Sequence, residues 1–78
     1  MNADASNPAL HFGREVQRAR VSAGMTLAEM GRVAGYHKSQ VSRVERGVRA
    51  PTKKFAQMCD LVFPQRGGWF LRFYEDSR

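Results

Sequence analysis

The residues best suited to chemistry lie in one run, Gly35-Tyr36-His37-Lys38-Ser39-Gln40-Val41-Ser42-Arg43-Val44-Glu45-Arg46-Gly47. Lys38, Arg43 and Arg46 supply cationic donors, Gln40 an amide, and Ser39 and Ser42 hydroxyls. Groups of this kind bind phosphate oxygens and the edges of nucleobases, whereas a face built only for solubility is richer in Glu and Lys. At 3.6 residues per turn, Val41 and Val44 share one side of a short helix, with Tyr36 placed to pack near its entry. The polar set is left pointing elsewhere, and Gly35 and Gly47 punctuate the two ends.

No reaction chemistry is spelled out beside it. The chain has no Ser/His/Asp or Cys/His constellation, no paired carboxylates and no phosphate-binding glycine loop. His11, His37 and Cys59 lack metal-ligand spacing, so neither a metal nor a cofactor is expected. A chain this short also has little room for a substrate pocket of ordinary volume. An enzyme is therefore not expected.

Seventy-eight residues make one small domain, in which only about 60–65% of the unfolded surface can be buried. An apolar content of 42% and a charged content of 26% are ordinary for a folded globule. The charge balance says more. The net charge is +6, and most of it is local: Lys38, Arg43, Arg46, Arg49, Lys53 and Lys54 face Glu45 alone, a net +5 within residues 36–54. Concentrated positive charge of this kind is the footprint of a polyanion partner. The single cysteine, Cys59, cannot form an internal disulfide. With no signal peptide and no apolar run long enough to span a bilayer, the expected setting is cytoplasmic and away from membranes.

Five helices are expected to position the polar run. Residues 1–8 read as a flexible arm, with Asn7-Pro8 as a breaker; the arm carries Asp4 and no Lys or Arg, which argues against insertion into a minor groove. A first helix runs from Ala9 to about Ala23, its apolar stripe formed by Phe12, Val16, Ala19 and Ala23, and Gly24 closes it. Thr26 and Glu29 form a capping box that starts a second helix ending at Ala34. Leu27, Met30 and Ala34 give it apolar contacts, and Gly31 permits close approach of another helix. After the three-residue turn Gly35-Tyr36-His37, the third helix spans Lys38 to Arg46. A loop leads to Thr52, which caps a fourth helix from Lys53 to about Phe63, with Phe55, Met58, Cys59 and Val62 inward. Cys59 thus reads as a small buried hydrophobe. Lys53 and Lys54 in that helix's first turn oppose its dipole at about 0.3–1 kcal/mol each, a cost that a phosphate contact would offset.

Pro64 stops the fourth helix, and Trp69-Phe70-Leu71-Arg72-Phe73-Tyr74 forms a short fifth. Four aromatic residues in six positions exceed what one side of such a helix can hide. Part should close the core over the first and fourth helices, leaving Trp69, Phe70, Phe73 and Tyr74 as a candidate partner surface.

The second and third helices, with their Gly-led turn, have the lengths of a helix-turn-helix. The chain resembles the Cro and phage-repressor type of helix-turn-helix regulators, the XRE family, from about Phe12 to Val62. The likeness is carried by Gly24-Met25-Thr26, Glu29-Met30, Gly35 and above all Ser39-Gln40-Val41-Ser42-Arg43-Val44-Glu45-Arg46-Gly47. The continuation through Arg49-Ala50-Pro51-Thr52 and the Trp-Phe segment is similar to the amino-terminal domains of an actinobacterial regulator group. In that group a larger carboxy-terminal domain commonly follows, so residues 75–78 are expected to be a tail leading toward one. The resemblance implies an all-α, compact five-helix repressor-like domain over residues 9–74.

The resemblance also implies roles. Lys38, Ser39, Gln40 and Arg43 correspond to base-reading positions, with Gln suited to adenine, and Arg46, Arg49 and Lys53 to phosphate-contacting ones. Arg20 and Glu45 match an ion pair that joins the first helix to the third. Two residues depart from the family pattern. Leu27 stands where a Gln usually anchors the DNA backbone, and His37 replaces the usual Ser or Thr cap and is expected to be the poorer one. The implied function is a sequence-specific regulator of transcription, acting as a homodimer on duplex DNA at the nucleoid. The alternative is a protein-interaction module of the same fold, antitoxin-like or polymerase-associated, that uses the aromatic fifth helix.

Overall fold

A computed structural model describes residues 7–77, which form five α-helices and one short 3₁₀ turn, with no strand among them. The helices are α1 (Pro8–Ser22), α2 (Leu27–Ala34), α3 (Lys38–Glu45), α4 (Lys53–Val62) and α5 (Trp69–Asp76), and the 3₁₀ turn is Pro64–Arg66. The expected all-α architecture is present, and α2 and α3 are the two expected short helices. Most of the expected arm, and residue 78 of the expected tail, lie outside the described residues.

Local chemistry sets the helix ends. The Asn7 side chain accepts from the Leu10 N–H at 3.1 Å, and Pro8 occupies the first helical turn. Asn7-Pro8 is therefore the start of α1 rather than a breaker ahead of it: Asn is a favoured cap, and Pro loses no hydrogen bond at the first helical position. At α2 the expected box is closed in both directions, Glu29 N–H to Thr26 Oγ1 at 3.0 Å and Thr26 N–H to Glu29 Oε1 at 2.8 Å. Gly35 ends α2 in the left-handed conformation, φ 81°. Thr52 caps α4 by accepting from the Phe55 N–H at 3.1 Å.

Each helix turns its apolar side to one core. Phe12, Val16, Met30, Val41, Cys59 and Phe70 are fully buried, with Phe55 and Phe63 nearly so. Phe12 sits at the centre, edge-on to Phe70 with ring centroids 5.4 Å apart. Of the expected inward face of α4, Phe55 and Cys59 are buried while Met58 and Val62 are half-buried. The gap is filled by Ala56, on the helix, and Phe63, just past its end. On α5 only Phe70 is fully buried; Trp69, Leu71, Phe73 and Tyr74 remain half-buried on its flanks.

Two glycines let the helices approach. A Cβ on Gly13 would overlap the carbonyl oxygen of Val44 and lie 2.7 Å from that of Glu45, so α1 touches the backbone of α3 there. A Cβ on Gly31 would overlap the Tyr36 carbonyl oxygen and come within 3.3 Å of the Lys38 nitrogen. Helix α3 is thus held from two sides by bare backbone contact.

Candidate functional site

Helix α3 divides sharply by side. Val41, Val44 and Glu45 are buried, while Lys38, Arg43 and the cap residue Arg46 are exposed and Ser39, Gln40 and Ser42 are half-buried. The apolar pair fixes the helix against α1 and α2, and the donors are left at the surface. Arg49, Lys53 and Lys54 extend the exposed cationic surface into the loop and the first turn of α4.

An ion pair fixes α3 from below. Arg20 Nε donates to Glu45 Oε2 at 2.7 Å and Nη2 to Oε1 at 3.1 Å, while Nη1 donates to the Met25 carbonyl oxygen at 2.9 Å. Glu45 is 6% exposed, so its charge sits within the protein with a two-pronged partner. That geometry orients both groups, and removing either would strand the other. One Arg therefore ties α1, the α1–α2 loop and the end of α3 together.

The start of α3 corrects an expectation. His37 is a working cap: its Nδ1 accepts from the Ser39 N–H at 3.1 Å, and the Gln40 carboxamide oxygen accepts from the His37 N–H at 2.9 Å. An imidazole nitrogen and an amide thus rebuild the reciprocal box that Ser or Thr with Glu makes elsewhere. The Ser39 hydroxyl lies 2.9 Å from the same Nδ1. For Nδ1 to accept, its neutral tautomer carries the proton on Nε2.

Other polar groups are engaged at home. Arg46 Nε donates to Ser42 Oγ at 3.3 Å, and Lys53 Nζ lies 3.7 Å from Glu75 Oε1, the latter pair being exposed. Leu27, which cannot donate to a phosphate, packs half-buried against the core instead. The aromatic residues Trp69 and Phe73 stack on each other, centroids 4.7 Å apart, and His11 lies 4.9 Å from Phe73. Beside them a groove of about 200 Å³ opens between the start of α1, residues Ala50-Pro51 and the end of α5, with Phe12, Phe73 and Tyr74 in its wall.

Two acidic residues with structural roles, Asp60 and Glu15, escape a reading of the sequence. Asp60, in the last turn of α4, accepts from the Phe70 and Leu71 N–H groups at 3.0 and 3.1 Å and so caps α5. Gly68 precedes α5 and has no side chain to do this. Glu15 accepts from Arg66 at 2.9 Å and pairs with Arg18. Its partial burial pushes the carboxyl up, but the hydrogen bonds from Arg66 and Arg18 outweigh that and hold it below the usual carboxylate range. Glu29 is likewise lowered, chiefly by the Thr26 N–H. Cys59 is fully buried, and burial, then the nearby Asp60 and Glu45 charges, push its thiol far up. It is a packing residue and not a nucleophile.

Among the described residues no group of three or more His, Cys, Asp and Glu could hold a metal ion, and no helix is long and apolar enough to cross a membrane. A family model described as a helix-turn-helix domain matches residues 11–62. No curated protein and no solved structure matches the chain.

Proposed function

The chain belongs to the helix-turn-helix domain family, of the XRE-like type, and from that premise we propose that it is a sequence-specific, double-stranded-DNA-binding regulator of transcription. The observation that carries this reading is the division of α3: a buried apolar and ion-paired side, and an open side bearing Lys38, Ser39, Arg43 and Arg46. In this reading α3 lies in the major groove and α2 braces it across the backbone. Lys38 and Arg43 donate to guanine O6 and N7, and Ser39 offers its hydroxyl to a neighbouring edge. Arg46, Arg49 and Lys53 set the register on phosphates. Lys53 leaves its long, exposed contact with Glu75 at little cost, because exposed ion pairs contribute only about 0–1 kcal/mol.

One copy reads about four to six base pairs, so the working form is a homodimer on half-sites about 34 Å apart. The molecule measures 33 × 23 × 21 Å, which lets two copies stand on successive turns of one face of the duplex. No step of this function calls for catalysis, and its place is the cytoplasmic nucleoid. Selection from a random duplex library with the purified chain tests the proposal. It should enrich a short two-fold motif; recovery of unenriched sequence at every salt concentration would refute it.

A second reading draws on the apolar groove beside Phe73 and Tyr74. There the fold serves as a protein-interaction module and duplex affinity is secondary. That reading expects no enriched motif in the same selection.

A further inference from the structure

We infer that Gln40 is a phosphate clamp acting with Arg49, and not a reader of bases. The inference rests on the proposed docking of α3 and deepens it. Its starting point is the capping bond: a backbone N–H can only donate, so the Gln40 atom 2.9 Å from the His37 nitrogen is the carboxamide oxygen. With one lone pair of that oxygen held against the backbone, Gln40 presents chiefly the two N–H groups of its Nε2. Adenine is read by Gln through one acceptor and one donor together, facing N6 and N7. The cap ties the acceptor end of the amide to the backbone and so disfavours that paired geometry.

Position on the helix points the same way. At about 100° per residue, Lys38, Ser42, Arg46, Ser39 and Arg43 fall within an arc of about 140°, and Gln40 lies about 60° beyond Arg43, toward buried Val44. Gln40 therefore stands at the margin of the open side. What it borders is a small notch between α3 and the loop before α4, shared with Arg49, Tyr36 and Thr52. The nitrogen donors among its lining residues are the Gln40 amide and the exposed Arg49 guanidinium, beside the hydroxyls of Tyr36 and Thr52. Amide donors beside a cation fit a negatively charged oxygen that can only accept, and on duplex DNA that is a phosphodiester. The His37–Gln40 box is thereby a positioning device: it closes the helix end and turns the amide's donors outward.

Two variants of the full chain separate the cap from the clamp. Gln40→Glu keeps a side-chain oxygen for the His37 N–H and removes both donors; Gln40→Met removes everything. Hydrogen exchange at the His37 amide should stay slow in Gln40→Glu and speed up in Gln40→Met. Both variants should lose roughly tenfold or more in affinity for a selected duplex and for random duplex alike, with the selected motif unchanged. The inference is overturned if either variant changes preference at a single base pair, if Gln40→Met binds as the wild type does, or if its His37 amide exchanges no faster. Because random duplex also reads the clamp, a wild-type chain that binds DNA without selecting a motif refutes only the reading beneath. A chain that binds no duplex at all refutes both.

Discussion

Arg20 reaches from α1 to grip both carboxylate oxygens of Glu45 at the end of α3, at 2.7 and 3.1 Å, while its third nitrogen holds the Met25 carbonyl. The pair is 25 residues apart in sequence, yet it fastens the end of α3, with its exposed donors, to α1. Removing either partner leaves a charge stranded, so Arg20→Met or Glu45→Leu alone should cost about 3–5 kcal/mol. The double variant should be markedly less destabilised than the sum of the two. Urea unfolding of the four proteins checks this; additive losses would mean that the two charges do not act as a pair.

Gly13 offers a contest between two effects of opposite sign. On helix propensity alone, Gly13→Ala in mid-helix should stabilise by about 0.5–1 kcal/mol. The added Cβ, however, would overlap the Val44 carbonyl oxygen, and that backbone has no rotamer in which to escape. Overpacking of this kind costs about 1–3 kcal/mol and sometimes more, so the clash wins. Thermal unfolding should show Gly13→Ala clearly below the wild type; a raised melting temperature would show that α1 and α3 are less closely set.

Asp60 is the side-chain cap of α5. Asp60→Ala should cost about 0.5–2 kcal/mol, and the loss should be felt first in the last helix. Hydrogen exchange at the Phe70 and Leu71 amides is the direct readout. Faster exchange there, with α1–α3 unchanged, is the expected result, and equal acceleration everywhere would argue against a local role.

Acid should loosen the fold through Glu15 and Glu29. Both carboxyls are lowered in the folded chain: at Glu15 burial pushes upward and the contacts with Arg66 and Arg18 together outweigh it, and at Glu29 the Thr26 N–H is the chief cause. A group lowered on folding contributes its stability in full above its unfolded value of about 4.3 and loses it as pH falls through the folded value. The melting temperature should therefore hold from neutral pH to about 5 on account of these groups and fall below about 4.5. Glu15→Gln and Glu29→Gln should each shallow that acid limb; a limb unchanged in both would contradict the assignment.

Much of this arrangement is legible along the chain, because its signals are local. Thr26 with Glu29, Gly35 and Thr52 each sit within four residues of what they cap, and the apolar spacing of Phe12, Val16 and Ala19 needs no partner to be read. The unread parts depend on distant or substituted partners. Gly13 looks like a weak point of a helix until α3 is laid against it, and Asp60 looks like a solvated acid until α5 folds back. Arg66 meets Glu15 across 51 residues. His37 reads as a poor cap because capping preferences rank side chains singly, whereas here the cap is shared with Gln40.

The account turns on a division of labour between the open side of α3 and the loop that follows it. Binding of Arg43→Ala and Arg49→Ala to a selected duplex and its single-base variants, across a salt series, tests that division most directly. Arg43→Ala should relax preference at one base position, a loss of about 1–3 kcal/mol of discrimination there. Arg49→Ala should weaken every sequence alike and reduce the salt slope by about one unit. Equal losses for the two variants on selected and random duplex, with no change at any single position, would contradict the account.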